Sequence, residues 1–532
     1  MRKSTTALAL WVIFPFCLTG GAERLEAATD SIQEIVLENG FRVLVVEKTA
    51  VPRVAASLWY RVGGIAEAQG EHGSTHFLEH MIHQGTTTVG TRAFAAEKPI
   101  LREIYETEQK LIEVWNRERN RLRERNVFYD ELDWPTTPEM VKLRQRLYEL
   151  EDQDSELREF WAEYNWYRRY GGRARHADPV PATTGNEHMD ISLDLPKENL
   201  ELFFRLEAER MVNAVLRGWE AQRFTVFEQI LNSHSRPERG RFYQAINGVT
   251  GLAHPIYLSA GGHMRDFAYF NRASMLRMYE KYFVPGNATL VLVGDVALGQ
   301  VRSLAERYFG RIPKGAEAPA RMDYEAEPVP GGAARLDWLE PLDPRVIIRF
   351  RIPGVGHPDR PAFDALAALL RGRHGMLARA SRLREGGSRD PFRDVDFQAS
   401  APRSGSPRTI SLVARARRDD DLPKLEQMML AALEELRQGK LASGDLNRAR
   451  KAMRLQWEQI RSSRGNLASE LGRFQVMDSW RTLEPYMDAR EKASIEDIRR
   501  VAERYLVPAN RTIATSRRNP APNALLAPTS PE

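Results

Sequence analysis

Hydrophobic residues follow a strand period near the start of the predicted fold. Two apolar runs flank Asn39-Gly40 in QEIVLENGFRVLVVEK, which predicts a β-hairpin, and VAASLWYRVG predicts a further strand. A glycine-punctuated loop then leads to THFLEHMI, which we interpret as a helix capped by Ser74 or Thr75. Residues 288–296, ATLVLVGDV, form a continuous apolar run that is typical of a buried strand.

Between residues 97 and about 168 the pattern changes to that of long charged helices. Apolar residues recur at helical spacings on both sides of Trp134-Pro135, and Pro138 occupies a first-turn position of the second segment. This pattern predicts an antiparallel helical hairpin inserted into the first domain. Two roles remain open for the hairpin: it is a lid or partner-binding arm, or it is an insertion that packs on its own domain.

The second half returns to alternating strands and helices after a predicted linker at residues 311–335, which is rich in Pro, Gly and Ala. A chain of 532 residues exceeds one ordinary core, so we expect an α+β fold with domains at 33–310 and 336–515. Residues 518–532 predict a disordered tail. The second domain contains RVIIRFRIPG and RTISLVARAR as strands, and PAFDALAALLRG, PKLEQMMLAALEELRQG and SGDLNRARKAMRLQWEQIRSS as helices.

Composition excludes some classes of protein. With 42% hydrophobic and 28% charged residues, the chain is globular rather than disordered. The net charge of +5 is small for this length, and the Arg-rich runs are mixed with Glu, so we expect no nucleic-acid partner.

The N-terminus predicts a signal peptide at residues 1–22. Arg2 and Lys3 precede the apolar run ALALWVIFPFCLTGGA, with cleavage after Ala22. This run is short for a transmembrane helix, so we expect no stable membrane insertion after cleavage. Cys17 is the only cysteine, so the mature chain has no disulfide, cysteine-ligated zinc or thiol nucleophile. We expect a periplasmic or secreted protein of a Gram-negative-type bacterium.

The motif HFLEH carries the candidate chemistry. His76 and His80 are four residues apart, so on a helix they share one face and can bind one metal ion. Glu79 lies on the same side, where it can act as general base for a metal-bound water. H-x-x-E-H is a known zinc-peptidase signature. His72 and His83 lie outside the motif, and we interpret them as bystanders.

HFLEHMIHQGT resembles the inverted zinc motif of the pitrilysin and insulinase family of metallopeptidases. PKENLELFFRLEAERM, YFVPGNATLVLVGDV and KASIEDIRRVAERYLVPANRTIA resemble further segments of that family, so the resemblance extends from residue 33 to about 515. It implies two homologous αβ domains per half, and two halves that close around a chamber for peptides or unfolded proteins. This chain corresponds to one half, so a homodimer, or a heterodimer with a similar chain, is implied.

The family also implies one zinc ion per chain, with a third ligand from a downstream E-x6-E pattern. In RGWEAQRFTVFEQI, Glu228 takes that position beside His76 and His80, and Glu79 is the base. The family's other glutamate corresponds to Ala221, which is a departure from the pattern.

A second departure concerns the strand that holds substrate in the family. PATTGNEHMDISLDLP keeps Ala182 and Thr184 as implied substrate-binding residues but has Pro181 where the family has asparagine. Proline lacks an N–H and an amide side chain, which puts the anchoring of substrate in doubt. We interpret His188 and Asp190 nearby as structural.

Two functions therefore stand at this point. The first is an exported zinc-dependent endopeptidase that hydrolyses peptides or unfolded proteins with a zinc-activated water and Glu79 as general base. The alternative is a weakly active or non-catalytic scaffold or binding subunit of a peptidase-like complex. The intact Glu79 favours the enzyme, whereas Ala221 and Pro181 favour the alternative.

Overall fold

The structure is a computed structural model, and the residues that it describes fall in several ranges. The predicted signal peptide, most of the predicted linker and all but the first residue of the predicted tail lie outside them. The described residues are 32–68, 70–125, 136–159, 172–174, 181–235, 240–251, 261–262, 264–267, 270–315, 333–339, 343–371, 375–377, 397–400, 409–416 and 418–518.

Two β-sheets form the framework of the protein. The strands of the first sheet are β1 (Gln33–Val36), β2 (Arg42–Glu47), β3 (Arg53–Tyr60), β4 (Arg173–Ala174), β5 (Ala182–Thr184), β6 (Met189–Pro196) and β7 (Ala288–Gly294). Their order is β1-β2-β7-β3-β6-β4, and β5 also pairs with β6. The strands of the second sheet are β8 (Ala334–Leu339), β9 (Arg345–Arg351), β10 (Phe397–Ser400), β11 (Thr409–Arg415) and β12 (Arg511–Arg517), in the order β10-β11-β9-β12-β8.

The two sheets share one topology. In the first, β2 runs parallel to β7, which is antiparallel to β3; in the second, β8, β12 and β9 repeat this arrangement. A Val-Pro-x-Asn sequence precedes both β7 and β12. The Asn287 amide donates to the carbonyl of Tyr282 at 2.9 Å, and the Asn510 amide donates to the carbonyl of Tyr505 at 2.8 Å. The same local fold therefore starts the corresponding strand of each sheet.

Helices cover both sheets. In the first half they are α1 (Ser74–Ile82), α2 (Phe94–Glu124), α3 (Pro138–Leu157), α4 (Leu200–Asn213), α5 (Trp219–Ser235), α6 (Arg241–Gly251), α7 (Met264–Phe267), α8 (Arg272–Tyr282) and α9 (Leu298–Tyr308). In the second half they are α10 (Arg360–Leu370), α11 (Leu422–Arg437), α12 (Ser443–Ser462), α13 (Arg464–Met477), α14 (Leu483–Lys492) and α15 (Ile495–Tyr505). Among the described residues, no helix is both long and apolar enough to cross a membrane.

Helices α2 and α3 pack against each other in antiparallel orientation. Arg117 near the end of α2 pairs with Glu139 at the start of α3 at 2.5 Å. Arg146 on α3 pairs with Glu103, nearer the start of α2, at 2.6 Å. Each of these exposed ion pairs contributes little stability. Their order along the two helices shows that α2 and α3 run in opposite directions.

Buried ion pairs attach this helical pair to the rest of the first domain. Arg217 is 1% exposed and donates to the Glu97 carboxylate on α2 at 3.0 Å. Arg272, at the start of α8, lies 3.1 Å from Glu108 on α2 and 3.7 Å from Glu151 on α3. The described part of the pair therefore packs on its own domain.

Each sheet is covered on its second face by a helix from the other half of the chain. Alternate residues of β2 point to opposite faces: Val43 and Val45 join the core of the first domain, whereas Leu44 and Val46 pack against α13 and α14. In the same way, Phe242 on α6 packs on the second sheet. Strands buried on both faces need continuous apolar sequences, which explains the run in β7.

A close contact between Trp59 on β3 and Gly472 on α13 joins the two halves. The Trp59 indole is 2% exposed, and its N–H donates to the Ser57 hydroxyl at 2.7 Å. A Cβ atom at Gly472 would lie 2.1 Å from the indole nitrogen, closer than two non-bonded atoms can approach. Only glycine lets α13 rest on this indole.

We expect Gly472→Ala to lower the free energy of unfolding by roughly 1–3 kcal/mol, because the new methyl group overpacks a rigid contact. Gly465→Ala in the same helix is the matched control, since a Cβ there meets no atom within 4 Å. It should leave stability unchanged or raise it by up to about 1 kcal/mol. Urea denaturation of both variants checks this, and equal effects of the two would contradict the close contact.

Candidate metal centre

Helix α1, which carries the motif, is fixed at its N-terminus by a buried carboxylate. The Glu67 side chain accepts the backbone N–H of Gly73 and the backbone N–H of Thr75, both at 2.8 Å. The N-cap residue is Gly73 with φ of 100°, so the prediction of a cap by Ser74 or Thr75 is wrong. The physical reason is that the Glu67 side chain already accepts the free N–H groups at the start of the helix.

The three motif residues lie together on α1. The imidazole rings of His76 and His80 have centroids 5.1 Å apart, and Glu79 and His80 are buried. Burial, with a smaller contribution from His80, lowers the pKa of His76 to about 4, so this ring is neutral at pH 7. The Thr184 hydroxyl on β5 donates to the Glu79 carboxylate and connects the motif to the edge of the first sheet.

Helix α5 faces the histidines with two amide side chains. The Gln222 Oε1 atom lies 3.2 Å from Nδ1 of His80, and a hydrogen bond with the Gln229 side chain partly offsets the lowering of the His76 pKa by burial. These glutamines are seven residues apart, so they lie on the same side of the helix, beside the buried Val226.

The predicted third ligand lies elsewhere on α5. The side chains of Glu228 and Gln229 are both exposed, but Glu228 is about 200° around the helix from the fully buried Val226, whereas Gln229 is about 60° from it. Ala221, seven residues earlier, is on that same exposed side. The structure thus brings His76, Glu79 and His80 together and does not bring Glu228 to them.

Other histidines near the motif contact protein groups. His72 pairs with Asp266, and Nδ1 of His83 lies 2.7 Å from the carbonyl oxygen of Glu79. Burial lowers the pKa of His83 well below its usual value. Each of the two rings therefore has a neighbour that explains its presence without a metal ion.

His188 lies behind the strand that was predicted to hold substrate. Its ring packs at a tilt of 39° against the ring of Trp59, with centroids 4.8 Å apart, and its Nε2 is 3.7 Å from the Asp190 carboxylate. Burial lowers its pKa to about 3, so the ring is neutral and packs as part of the sheet.

Strand β5 offers backbone groups along its second edge. The Pro181 carbonyl accepts the N–H of Ser192 on β6 at 2.8 Å, so Pro181 and Thr183 direct their backbone groups towards β6. The backbone groups of Ala182 and Thr184 therefore point away from β6. The N–H that proline lacks is on the β6 side, so Pro181 removes a side-chain amide but no outward donor.

Two family models match this chain. The model described as Insulinase (Peptidase family M16) matches residues 42–98, which include α1. The model described as Peptidase M16 inactive domain matches residues 269–453.

Two curated zinc proteases are similar in sequence to this chain. Zinc protease PqqE of Helicobacter pylori is 21% identical over 358 residues, which cover 64% of this chain and 74% of that protein. An uncharacterized zinc protease of Rickettsia felis is 22% identical over 284 residues, which cover 52% of this chain and 50% of that protein. The chain belongs to the pitrilysin/insulinase family.

Solved structures share its two-domain fold. A protease from Helicobacter pylori matches with a TM-score of 0.69 at 18% identity, over 92% of this chain and 100% of that one. A peptidase M16 inactive domain from Pseudomonas fluorescens matches with a TM-score of 0.66 at 14% identity, over 92% and 98%. The periplasmic protease PqqL from Escherichia coli matches with 0.64 at 16% identity, over 94% of this chain but 49% of that one.

The residues present do not supply the donor set that a catalytic zinc ion needs. Such an ion normally has three protein ligands drawn from His, Cys, Asp and Glu. Here α1 offers two imidazoles, and α5 offers the neutral amides of Gln222 and Gln229. No group of three such side chains placed to hold a metal occurs within the described ranges. Nδ1 of His76 is buried without a hydrogen-bond partner, so protein groups satisfy only part of the hydrogen-bonding capacity of this imidazole.

The sequence pattern did not indicate these two glutamines, because the E-x6-E pattern has glutamate at both positions. Gln222 and Gln229 have the spacing of the E-x6-E pattern, displaced by one residue from Ala221 and Glu228. The position of Val226 was the available signal, since a buried apolar residue marks the side of the helix that faces the core.

Glu67 makes the stability of α1 depend on pH. Burial raises its pKa to about 7, from 4.5 in an unfolded chain. Its contribution to stability is full below about pH 4.5 and is lost as pH rises to about 7, because only the unfolded chain ionises freely there.

We therefore expect the Tm of Glu67→Gln, measured relative to that of the parent, to rise between about pH 4.5 and pH 7. The rise should correspond to roughly 2–3 kcal/mol in the free energy of unfolding. The lost hydrogen bond to one N–H costs a similar amount at every pH, so only the pH dependence is diagnostic. Exposed Glu38→Gln is the control for removing one carboxylate. A Tm difference that is the same at pH 4.5 and pH 8 would contradict the assignment.

Proposed function

We propose that this protein is an exported peptide-binding subunit of a peptidase-like complex, and that its own hydrolytic activity is weak or absent. The observation that carries the proposal is that Gln222 lies 3.2 Å from His80 and that Gln229 follows it two turns later on the same side of α5. Neutral amides there leave the motif without the third anionic ligand on which zinc peptidases of this kind depend.

Peptide binding is supported by the edge of β5 that points away from β6, which pairs with no other described strand. Thr184 is partly exposed there, and Ala182 is buried. Backbone N–H and C=O groups of Ala182 and Thr184 can pair with one extended segment, which thereby adds a strand to the first sheet. Because such pairing uses main-chain groups, it accepts many sequences, as expected for unfolded protein. Thr184 also bonds Glu79, so the bound segment would lie beside the motif.

A paired assembly is supported by the length of a relative. The chain covers 49% of Escherichia coli PqqL, which is described as a periplasmic protease. A second copy of this chain, or a similar chain, would complete an assembly of that size, and a periplasmic location is consistent with the predicted signal peptide.

We expect a fluorescent ten-residue peptide to bind residues 23–532 and to lose at least about tenfold in affinity when three consecutive central amides are N-methylated, because each lost hydrogen bond contributes about 0.5–1.5 kcal/mol. Fluorescence polarisation measures the affinity. The control peptide carries the three methyl groups at one end.

Hydrogen exchange identifies the edge that is used. Peptide binding should slow exchange of the Ala182 and Thr184 amides, whereas Thr183, which faces β6, should change little. Binding without protection at these two positions would place the peptide elsewhere and contradict the proposal.

A zinc-dependent endopeptidase is the second candidate function. It is favoured by the intact His76, Glu79 and His80, and by the Thr184 hydroxyl that holds Glu79. In that case Glu228 would have to reach the metal from the exposed side of α5, and Glu79 would be the general base.

Glu79→Gln separates the two functions. We expect parent and variant to cleave a quenched-fluorescent peptide library equally slowly, with and without added zinc. A fall of about 100-fold or more in the variant, the usual size of a lost general base, would favour the endopeptidase.

A further inference from the structure

We propose that Gln229 occupies the third-ligand position of this site, so that changing this single side chain to a carboxylate creates a three-ligand zinc site. The inference deepens the proposed function, since it names the residue that withholds the metal. It departs from the assignment of Glu228 that the resemblance implied.

The first step is the direction of α5. A ligand completing a site on α1 must project from the side of α5 that faces the histidines. The 3.2 Å contact of Gln222 with His80 and the fully buried Val226 identify this side, and Gln229, seven residues beyond Gln222, lies on it two turns later. Glu228 is about 100° from Gln229 around the helix and does not lie on this side.

The second step is the chemistry of the side chain. Gln229 and a glutamate at the same position have the same length and differ in charge. A carboxylate is a zinc ligand, and the neutral amide is instead a hydrogen-bond partner of imidazole. The amide therefore holds His76 in a metal-free arrangement at the place where a carboxylate would share a metal ion with it.

The third step is the difference between the two glutamines. In the E-x6-E pattern implied by the resemblance, the second glutamate is the ligand and the first is supporting. With the register given by the contacts, Gln229 is the second residue and Gln222 the first. We therefore assign the ligand position to Gln229 and use Gln222 as the matched comparison.

Zinc per chain, measured by elemental mass spectrometry after equilibration with buffered zinc, tests the inference on residues 23–532. We expect the parent and Glu228→Gln to hold well under one zinc per chain, and Gln229→Glu to hold about one. Gln222→Glu should gain less. The Tm of Gln229→Glu should rise with zinc concentration, because a ligand that binds only the folded state stabilises it.

His76→Ala in the Gln229→Glu background should remove the gained zinc, which shows that the ion sits at the motif. Gln229→His provides a second route should the charged variant fold poorly, since imidazole is also a zinc ligand. Circular dichroism verifies the fold of each variant.

Two results would overturn the inference. One is a parent that holds one zinc and loses it in Glu228→Gln, which would make Glu228 the ligand. The other is a folded Gln229→Glu and a folded Gln229→His that both remain free of zinc. Neither readout uses a peptide, so failure of the peptide-binding proposal is seen separately.

Discussion

The chemistry of this protein depends on the contact between helices α1 and α5. Glu67 and the left-handed Gly73 fix where α1 begins, and a Cβ at Gly73 would meet the backbone of Gly262 at 2.4 Å. The buried Val226 fixes which side of α5 turns inward. With both helices held, the identity of two side chains on α5 decides whether the motif meets carboxylates or amides.

Sequence patterns predicted the elements better than their mutual positions. The hairpin at Asn39-Gly40, the motif helix and the buried strand of β7 all follow from local periodicity. A helix can be predicted correctly even when a motif is aligned to it with an error of one residue. That error rotates the assigned side chain by about 100° around the helix, which is the angle between Glu228 and Gln229. Each sheet is covered by a helix from the other half of the chain, as in the Trp59–Gly472 contact. This packing joins segments that are far apart in the sequence, so no local sequence pattern predicts it.

Burial and neutrality are coupled in the site. His76 is held in a place where burial keeps its ring neutral, and a neutral ring is equally suited to a metal ion and to an amide. The neutral ring therefore does not distinguish a zinc peptidase from a binding protein. The facing side chain does, because zinc binds a carboxylate or an imidazole as third ligand, whereas the carboxamide of glutamine is not among its usual ligands.

The edge of β5 and the metal position can change independently of each other. In the proposed function, pairing with an extended segment uses main-chain groups of Ala182 and Thr184 and so does not depend on the side chains of α5; the N–H missing at Pro181 lies on the β6 side. Under that proposal, an amide in place of a carboxylate on α5 affects metal binding but not the main-chain edge of β5. Thr184 is the residue where the two meet, since its backbone lines the edge and its hydroxyl holds Glu79.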